Sequence, residues 1–195
     1  MNYLDDICLE IEKYRDEIVK LAMDIWSNPE GAYQEYKASR WSAELLEEHG
    51  FEVERCAGGI QTAVKASYGN GHPVVGFLGE YDALEGLSQT VSDRPEPVLG
   101  QKFGHGCGHN LLCAACAGAA IALRHQIEKG KIQGTVVFYG CPAEEILTGK
   151  PFMARAGLFD ELDAAFSFHP MEYNMATYGN MVAANMAKFH FKGTT

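Results

Sequence analysis

Two periodicities alternate along the chain, and their alternation constrains the fold more than any other feature. Ile7, Ile11, Tyr14, Ile18, Leu21 and Ile25 recur at spacings of three and four, the stripe of one long amphipathic helix. Asn28-Pro29 ends it. The stretch from Ala38 to His49 predicts a second helix, with Trp41, Leu45 and Leu46 inward and Gly50 as its stop. Phe51 to Arg55 alternates apolar and polar as a half-buried strand does. Thr62 to Tyr68 predicts another strand, closed by the turn Gly69-Asn70-Gly71. Pro73 to Leu78 is nearly uncharged and fits a buried central strand. A small-residue helix is expected from about Cys107 to Lys129, then a strand over Thr135–Tyr139, a short helix around Phe152–Ala156 and a strand over Ala164–Phe168. This alternation predicts an α/β protein, a three-layer αβα sandwich with a mainly parallel sheet. Between the elements, Glu85 to Phe103 carries Gly, Ser, Pro and mixed charges without periodicity. Loops of that length in a compact domain are usually functional or mobile.

Composition narrows the function classes. Of 195 residues, 47% are hydrophobic and 22% charged, an ordinary globular balance. The formal net charge is −10, and no Lys/Arg-rich run interrupts it, so nucleic acid is not an expected partner. Apolar stretches are broken well short of the ~20 residues that a membrane span needs. Met1 to Glu10 carries acids where a signal peptide would carry a basic and then an apolar segment. A soluble cytoplasmic protein with no membrane partner is the expectation. Of the six cysteines, Cys8, Cys56, Cys113, Cys116 and Cys141 read as reduced thiols, mostly small core residues. Cys113 and Cys116 form a C-x-x-C, yet their small-residue helical setting, with no second pair nearby, favours core packing.

Four clusters carry chemistry, and each lies just after an expected strand or at a helix start. They are Gly79-Glu80-Tyr81-Asp82, Gly104-His105-Gly106-Cys107-Gly108-His109-Asn110, Pro142-Ala143-Glu144-Glu145 and Phe168-His169-Pro170. In open α/β sheets the crevice beyond the carboxyl ends of the strands is where ligands bind. Thiol, imidazole and carboxylate together form a metal-ligand set; thiolate and imidazole favour zinc, and carboxylate partners leave manganese or cobalt open. Cys107 and His109 sit in a Gly-punctuated turn, where both can face one side. Glu144 and Glu145 are adjacent, so one can hold a metal while the other acts as general base. His169 is a further nitrogen ligand candidate, and Asp82 can orient a ligand histidine. Other readings compete: an anion site at the helix start, or a nucleophile–base pair of Cys107 with His105 or His109. His49, His72, His125 and His190 are expected to be structural.

These four clusters resemble those of the M20 metallopeptidases, closest to the amidohydrolase branch that holds aminobenzoyl-glutamate hydrolases, aminoacylases and dipeptidases. The resemblance runs from the first helix to the last strand. It implies a zinc-peptidase-like catalytic α/β domain interrupted by an α+β lid and dimerisation domain, and two divalent metal ions, zinc or manganese with cobalt also compatible. Position by position, it implies Cys107 as a bridging ligand, His109, Glu145 and His169 as further ligands, Glu144 as general base and Asp82 as the acidic residue behind the ligands. Glu80 stands where other branches place a histidine, and Asn110 where sister groups place an Asp. Met186 to Lys192 has strand character with no helix after it. Residues 1–184 are therefore expected to be the N-terminal part of the catalytic domain and 185–195 the first strand of the lid, with a final histidine ligand and the homodimer contacts beyond. The implied reaction is hydrolysis of the amide of an N-acyl amino acid or dipeptide-like substrate, such as an aminobenzoyl-glutamate-like amide. A cysteine-nucleophile hydrolase using Cys107, or a non-catalytic metal-binding domain, are the alternatives.

Overall fold

The computed structural model describes residues 3–172, 175, 187 and 189–193. The apolar stripe expected to form one helix forms two, α1 (Tyr3–Lys13) and α2 (Arg15–Ser27). Tyr14 stands between them at φ −107° and ψ 12°. Its ring stacks on His125 at 4.9 Å and meets His49 edge-on at 4.8 Å. The break at this residue lets each half follow the long helix of the domain separately. After α3 (Tyr36–Glu48) come β1 (Glu52–Arg55), a 3-10 turn (Ala57–Gly59), β2 (Val64–Asn70) and β3 (Val74–Glu80). Then follow the two-residue strands β4 (Leu84–Glu85) and β5 (Phe103–Gly104), α4 (His109–Glu128), β6 (Gly134–Cys141), α5 (Gly149–Arg155) and β7 (Ala164–Phe166). The long expected loop is real, but β4 and β5 pair antiparallel at its base and close it into a stalked excursion.

The main sheet has the order β1-β2-β6-β3-β7. Its β3–β6 and β3–β7 pairings are parallel, while β1–β2 and β2–β6 are antiparallel. The expectation of a mainly parallel sheet is corrected to an evenly mixed one. The cause is local: β2 and β3 are joined by a short turn and run in opposite directions, so β6, lying between them, must oppose one and follow the other. The middle strand is thus β6, buried along nearly its whole length, and β3 lies beside it as an interior strand, paired on both edges.

Side chains alternate across β6 as a pleated strand requires. Val136 and Phe138 face a core built with Leu21, Ile25, Leu46, Leu112 and Ile121 from the helices α2, α3 and α4. Val137, Tyr139 and Cys141 face the opposite way, against Met153 of α5 and the segment carrying Leu158 and Phe159. Helical layers on both faces give the three-layer sandwich expected. In the parallel half, Glu80 lies opposite Cys141 and Phe77 opposite Phe166. The exits of β3, β6 and β7 therefore share one edge of the sheet, and the start of α4, which packs on β3, joins them. The strand expected over Met186–Lys192 and the boundary after residue 184 fall largely outside the described residues.

Candidate metal centre

His109 opens α4 with no exposed surface, and four carboxylates surround its ring. Glu80 and Asp82 reach it from the end of β3. Tyr81 between them turns into the core, where its hydroxyl donates to the Thr62 carbonyl. Asp82 Oδ1 lies 3.0 Å from His109 Nδ1, and the Asp82 carbonyl oxygen is also at 3.0 Å. Two acceptors on that side place the proton on Nδ1 and turn the Nε2 lone pair the other way. Nε2 faces Glu80 Oε2 at 3.2 Å, Glu144 Oε2 at 3.7 Å and Glu145 Oε1 at 3.9 Å, and makes no hydrogen bond. Asp82 serves a second purpose: its Oδ2 accepts the Glu145 N–H at 2.9 Å, tying the β6 exit to the β3 exit.

Cys107 and His169 close the other side. Cys107 Sγ is 3.2 Å from His169 Nε2, and the His109 and His169 rings stand edge to face with centroids 6.1 Å apart. Two groups of potential ligand atoms each fall within 4.8 Å of one another: Cys107, His109 and His169, and Glu80, His109 and Glu144. His109 belongs to both. Gly108 makes the turn possible: it sits at φ 81°, and a Cβ there would lie 2.8 Å from Pro170 Cγ, the residue after His169. Glycine alone lets the chain take this left-handed step while the His169 segment approaches so closely.

The electrostatics call for a cation. Burial pulls the His109 imidazole down, but the Asp82 hydrogen bond and the charges of Asp82, Glu80 and Glu145 outweigh it and raise its pKa above the ordinary value. Burial pushes the Glu145 carboxyl up, and Glu145 Oε1 is buried without a hydrogen bond. The Cys107 thiol is pushed up to about 11 by burial and by the carboxylates of Glu145, Glu144 and Glu80. Among the described residues, Lys150 is the one lysine drawn in. Its ammonium pairs with Glu80 Oε1, and that pairing keeps it charged against the pull of burial. Thiol, imidazole and carboxylate donors that leave a buried lone pair and a buried carboxylate oxygen unpartnered suit a divalent cation.

Every expected site residue is at this cluster: Cys107, His109, Glu145, His169, Glu144 and Asp82. Three others, whose roles the sequence left open, are placed by the structure. Glu80, without an assigned role in the sequence, lies inside the cluster and carries Lys150 with it. Asn110 turns away, its Nδ2 donating to the Ala22 carbonyl at 3.2 Å and fastening α4 to α2. His105 lies on the far side of the turn, near Trp26 and Leu87, with its pKa lowered to about 4 chiefly by burial. Lys150 left no signal beyond a lone basic residue five positions after the Glu-Glu pair. The Cys113–Cys116 pair is core, as expected: Cys113 Sγ meets Ser42 Oγ at 3.2 Å and Cys116 donates to the Leu78 carbonyl.

An αβα sandwich with this donor set at the carboxyl edge of its parallel strands defines a domain of the metal-dependent hydrolase class. Residues 76–186 match the family model of peptidase family M20/M25/M40, and the chain belongs to that family. It is 43% identical over 192 residues to a component of the p-aminobenzoyl-glutamate hydrolase of Escherichia coli, a match covering 98% of this chain and 39% of that protein. It is 32% identical to human Xaa-Arg dipeptidase, over 88% of this chain and 39% of that protein. Among solved structures, the Bacillus subtilis YXEP protein, described as a dinuclear metal-binding peptidase of the M20 family, superposes with a TM-score of 0.71 at 27% identity. That match covers 82% of this chain and 44% of the other. The aminobenzoyl-glutamate utilization protein of Klebsiella pneumoniae shares the fold, with a TM-score of 0.60 at 15% identity over 82% of this chain and 45% of that one. The chain thus spans about two fifths of the length of the curated relatives it matches.

Proposed function

We propose that this chain carries the metal centre of an amidohydrolase that cleaves the amide bond of an N-acyl amino acid or dipeptide-like substrate, an aminobenzoyl-glutamate-like amide among them. The observation that carries the reading is the buried, unbonded Nε2 of His109, facing carboxylates from two strand exits. Cys107, His109, Glu145 and His169 would hold two divalent ions, zinc or manganese. When bound, such ions polarise the scissile carbonyl and make water a nucleophile at neutral pH. Asp82 fixes the His109 ring by its Nδ1 side and holds the Glu145 backbone in place. Glu144, whose side chain is 28% exposed, keeps the access to solvent that a base serving a substrate needs. Its Oε2 takes the proton of the attacking water and returns it to the leaving amine. Lys150 neutralises Glu80 and limits the negative charge facing the substrate.

The same reading puts the work in the cytoplasm, as a homodimer in the whole protein. All six cysteines are free, as thiols in a reducing compartment are. The thiol-nucleophile alternative is disfavoured because such a thiol needs a depressed pKa, whereas that of Cys107 is pushed up to about 11.

Elemental analysis of purified protein tests the proposal. Metal should be present in the unaltered protein and fall by at least half in Cys107→Ala and in His109→Ala. Equal metal content in all three, or none in any, would remove the metal reading.

A further inference from the structure

Glu35 touches none of the donor atoms, yet it is a carboxylate without exposed surface. A buried carboxylate is tolerated only where hydrogen bonds satisfy it. Three donors from three separate parts of the chain converge on this one. The Tyr33 N–H and the Ala143 N–H both donate to Oε1 at 2.9 Å, and Thr62 Oγ1 donates to Oε2 at 2.8 Å. Ala143 immediately precedes Glu144 and Glu145. It sits at φ 54°, and Tyr33 at φ 60°, in the left-handed region that non-glycine residues enter only when held there. The turn that carries Glu35 reaches the other strand exit as well. Ala83, next to Asp82, donates its N–H to the Glu30 carbonyl at 2.8 Å. Tyr33 Oη and Thr148 Oγ1 meet at 2.9 Å, at the far end of the Glu144–Glu145 loop. Burial raises the Glu35 carboxyl, while the converging donors pull it back.

We propose that Glu35 is a positioning residue of the metal centre: by gripping the Ala143 amide while Glu30 grips Ala83, the 30–35 turn sets the spacing between the Asp82 exit and the Glu144–Glu145 exit. What the two exits accomplish rests on the amidohydrolase reading above; how they are held does not. Without the carboxylate, the Ala143 N–H and the Thr62 hydroxyl lose their partner in a buried place, and Ala143 is held in its left-handed turn only from its carbonyl side, by the Thr148 and Gly149 N–H groups. Glu144 and Glu145 then lose their fixed distance from His109.

Three variants of the whole protein test this: Glu35→Ala, Glu35→Gln and Thr62→Val. Glutamine retains an Oε1 acceptor for both amides and can donate its Nε2 to Thr62 Oγ1, so it should rescue. Amide hydrogen exchange over residues 142–149 should rise about tenfold or more in Glu35→Ala, the loss of one buried hydrogen bond, while α4 and β6 keep their protection. Affinity for added zinc or manganese should fall about 10- to 100-fold in Glu35→Ala and stay within about threefold in Glu35→Gln. If Glu35→Ala does not fold, Thr62→Val, which removes one donor only, should show the same local change at smaller size. Unchanged exchange over 142–149, a uniform rise across the molecule, or damage in Glu35→Gln equal to that in Glu35→Ala would overturn the proposal. Failure of the amidohydrolase reading looks different: no metal binds even to the unaltered protein, while exchange over 142–149 still depends on Glu35.

Discussion

His109 shows how a single side chain can be fixed on one nitrogen and available on the other. Asp82 takes the Nδ1 side twice, through its carboxylate and its carbonyl, and the ring cannot turn without giving up both. Glu144, 3.7 Å from Nε2, keeps part of its side chain open to solvent, whereas Glu145 beside it is tied by its backbone to Asp82. This asymmetry divides the acid pair into a member whose side chain faces solvent and one whose backbone is tied to Asp82. Glu144→Gln should therefore lower kcat by about a thousandfold, the size of a lost general base, and leave metal content unchanged. Steady-state turnover beside elemental analysis checks it; retained turnover would take the base role away from Glu144. The residue types of this centre were legible in the sequence because thiol, imidazole and carboxylate sat in short runs at strand ends. Glu35 and Lys150 were not, since each works through a partner far away in sequence: Ala143 lies 108 residues beyond Glu35, and Glu80 70 residues before Lys150.

At the scale of elements, the segment from Pro142 to Gly149 is a loop folded back on itself. The Thr148 N–H donates to the Ala143 carbonyl at 3.3 Å, and a Cβ at Gly149 would overlap the Pro142 carbonyl oxygen. Backbone meets backbone there, so no side chain can give way. Gly149→Ala should destabilise the protein by at least about 2 kcal/mol, read as a lower urea midpoint with an unchanged slope. It should also lower metal content, because the loop that opens carries Glu144 and Glu145. An unaltered midpoint would mean that the close approach is dispensable. Element type was readable where one period dominated, as in α3, and where small or apolar residues ran together without a break, as in α4 and β6. Two misreadings have physical causes. Tyr14 fits the helical stripe but leaves the helix to stack on His125, a contact far along the chain that periodicity cannot see. The mixed sheet follows from a strand lying between β2 and β3, which run in opposite directions, and that insertion is a long-range choice that local pattern does not encode.

The whole molecule is organised around one strand that arrives late. β2 and β3 follow each other through a short turn and are built to the right length for a hairpin, yet they never pair. β6 lies between them, matching Val64 to Gly140 on one side and Glu80 to Cys141 on the other. A chain emerging from the ribosome therefore holds two adjacent strands whose nearest available neighbour is the wrong one until residue 141 is free. Long-range pairings of this kind are closed slowly, since the loop entropy must be spent before the contacts form. Ribosome-stalled chains exposing residues 1–130 should be cut readily by protease within β2 and β3, and those exposing 1–160 should be protected. Equal protection at both lengths would show that the early strands find stability without β6. The same order of events has a functional side: β3 and the start of α4 wait in an unfinished sheet until β6 brings Glu144 and Glu145. The acidic pocket thus cannot capture a stray cation in its native geometry before the domain has committed to its fold.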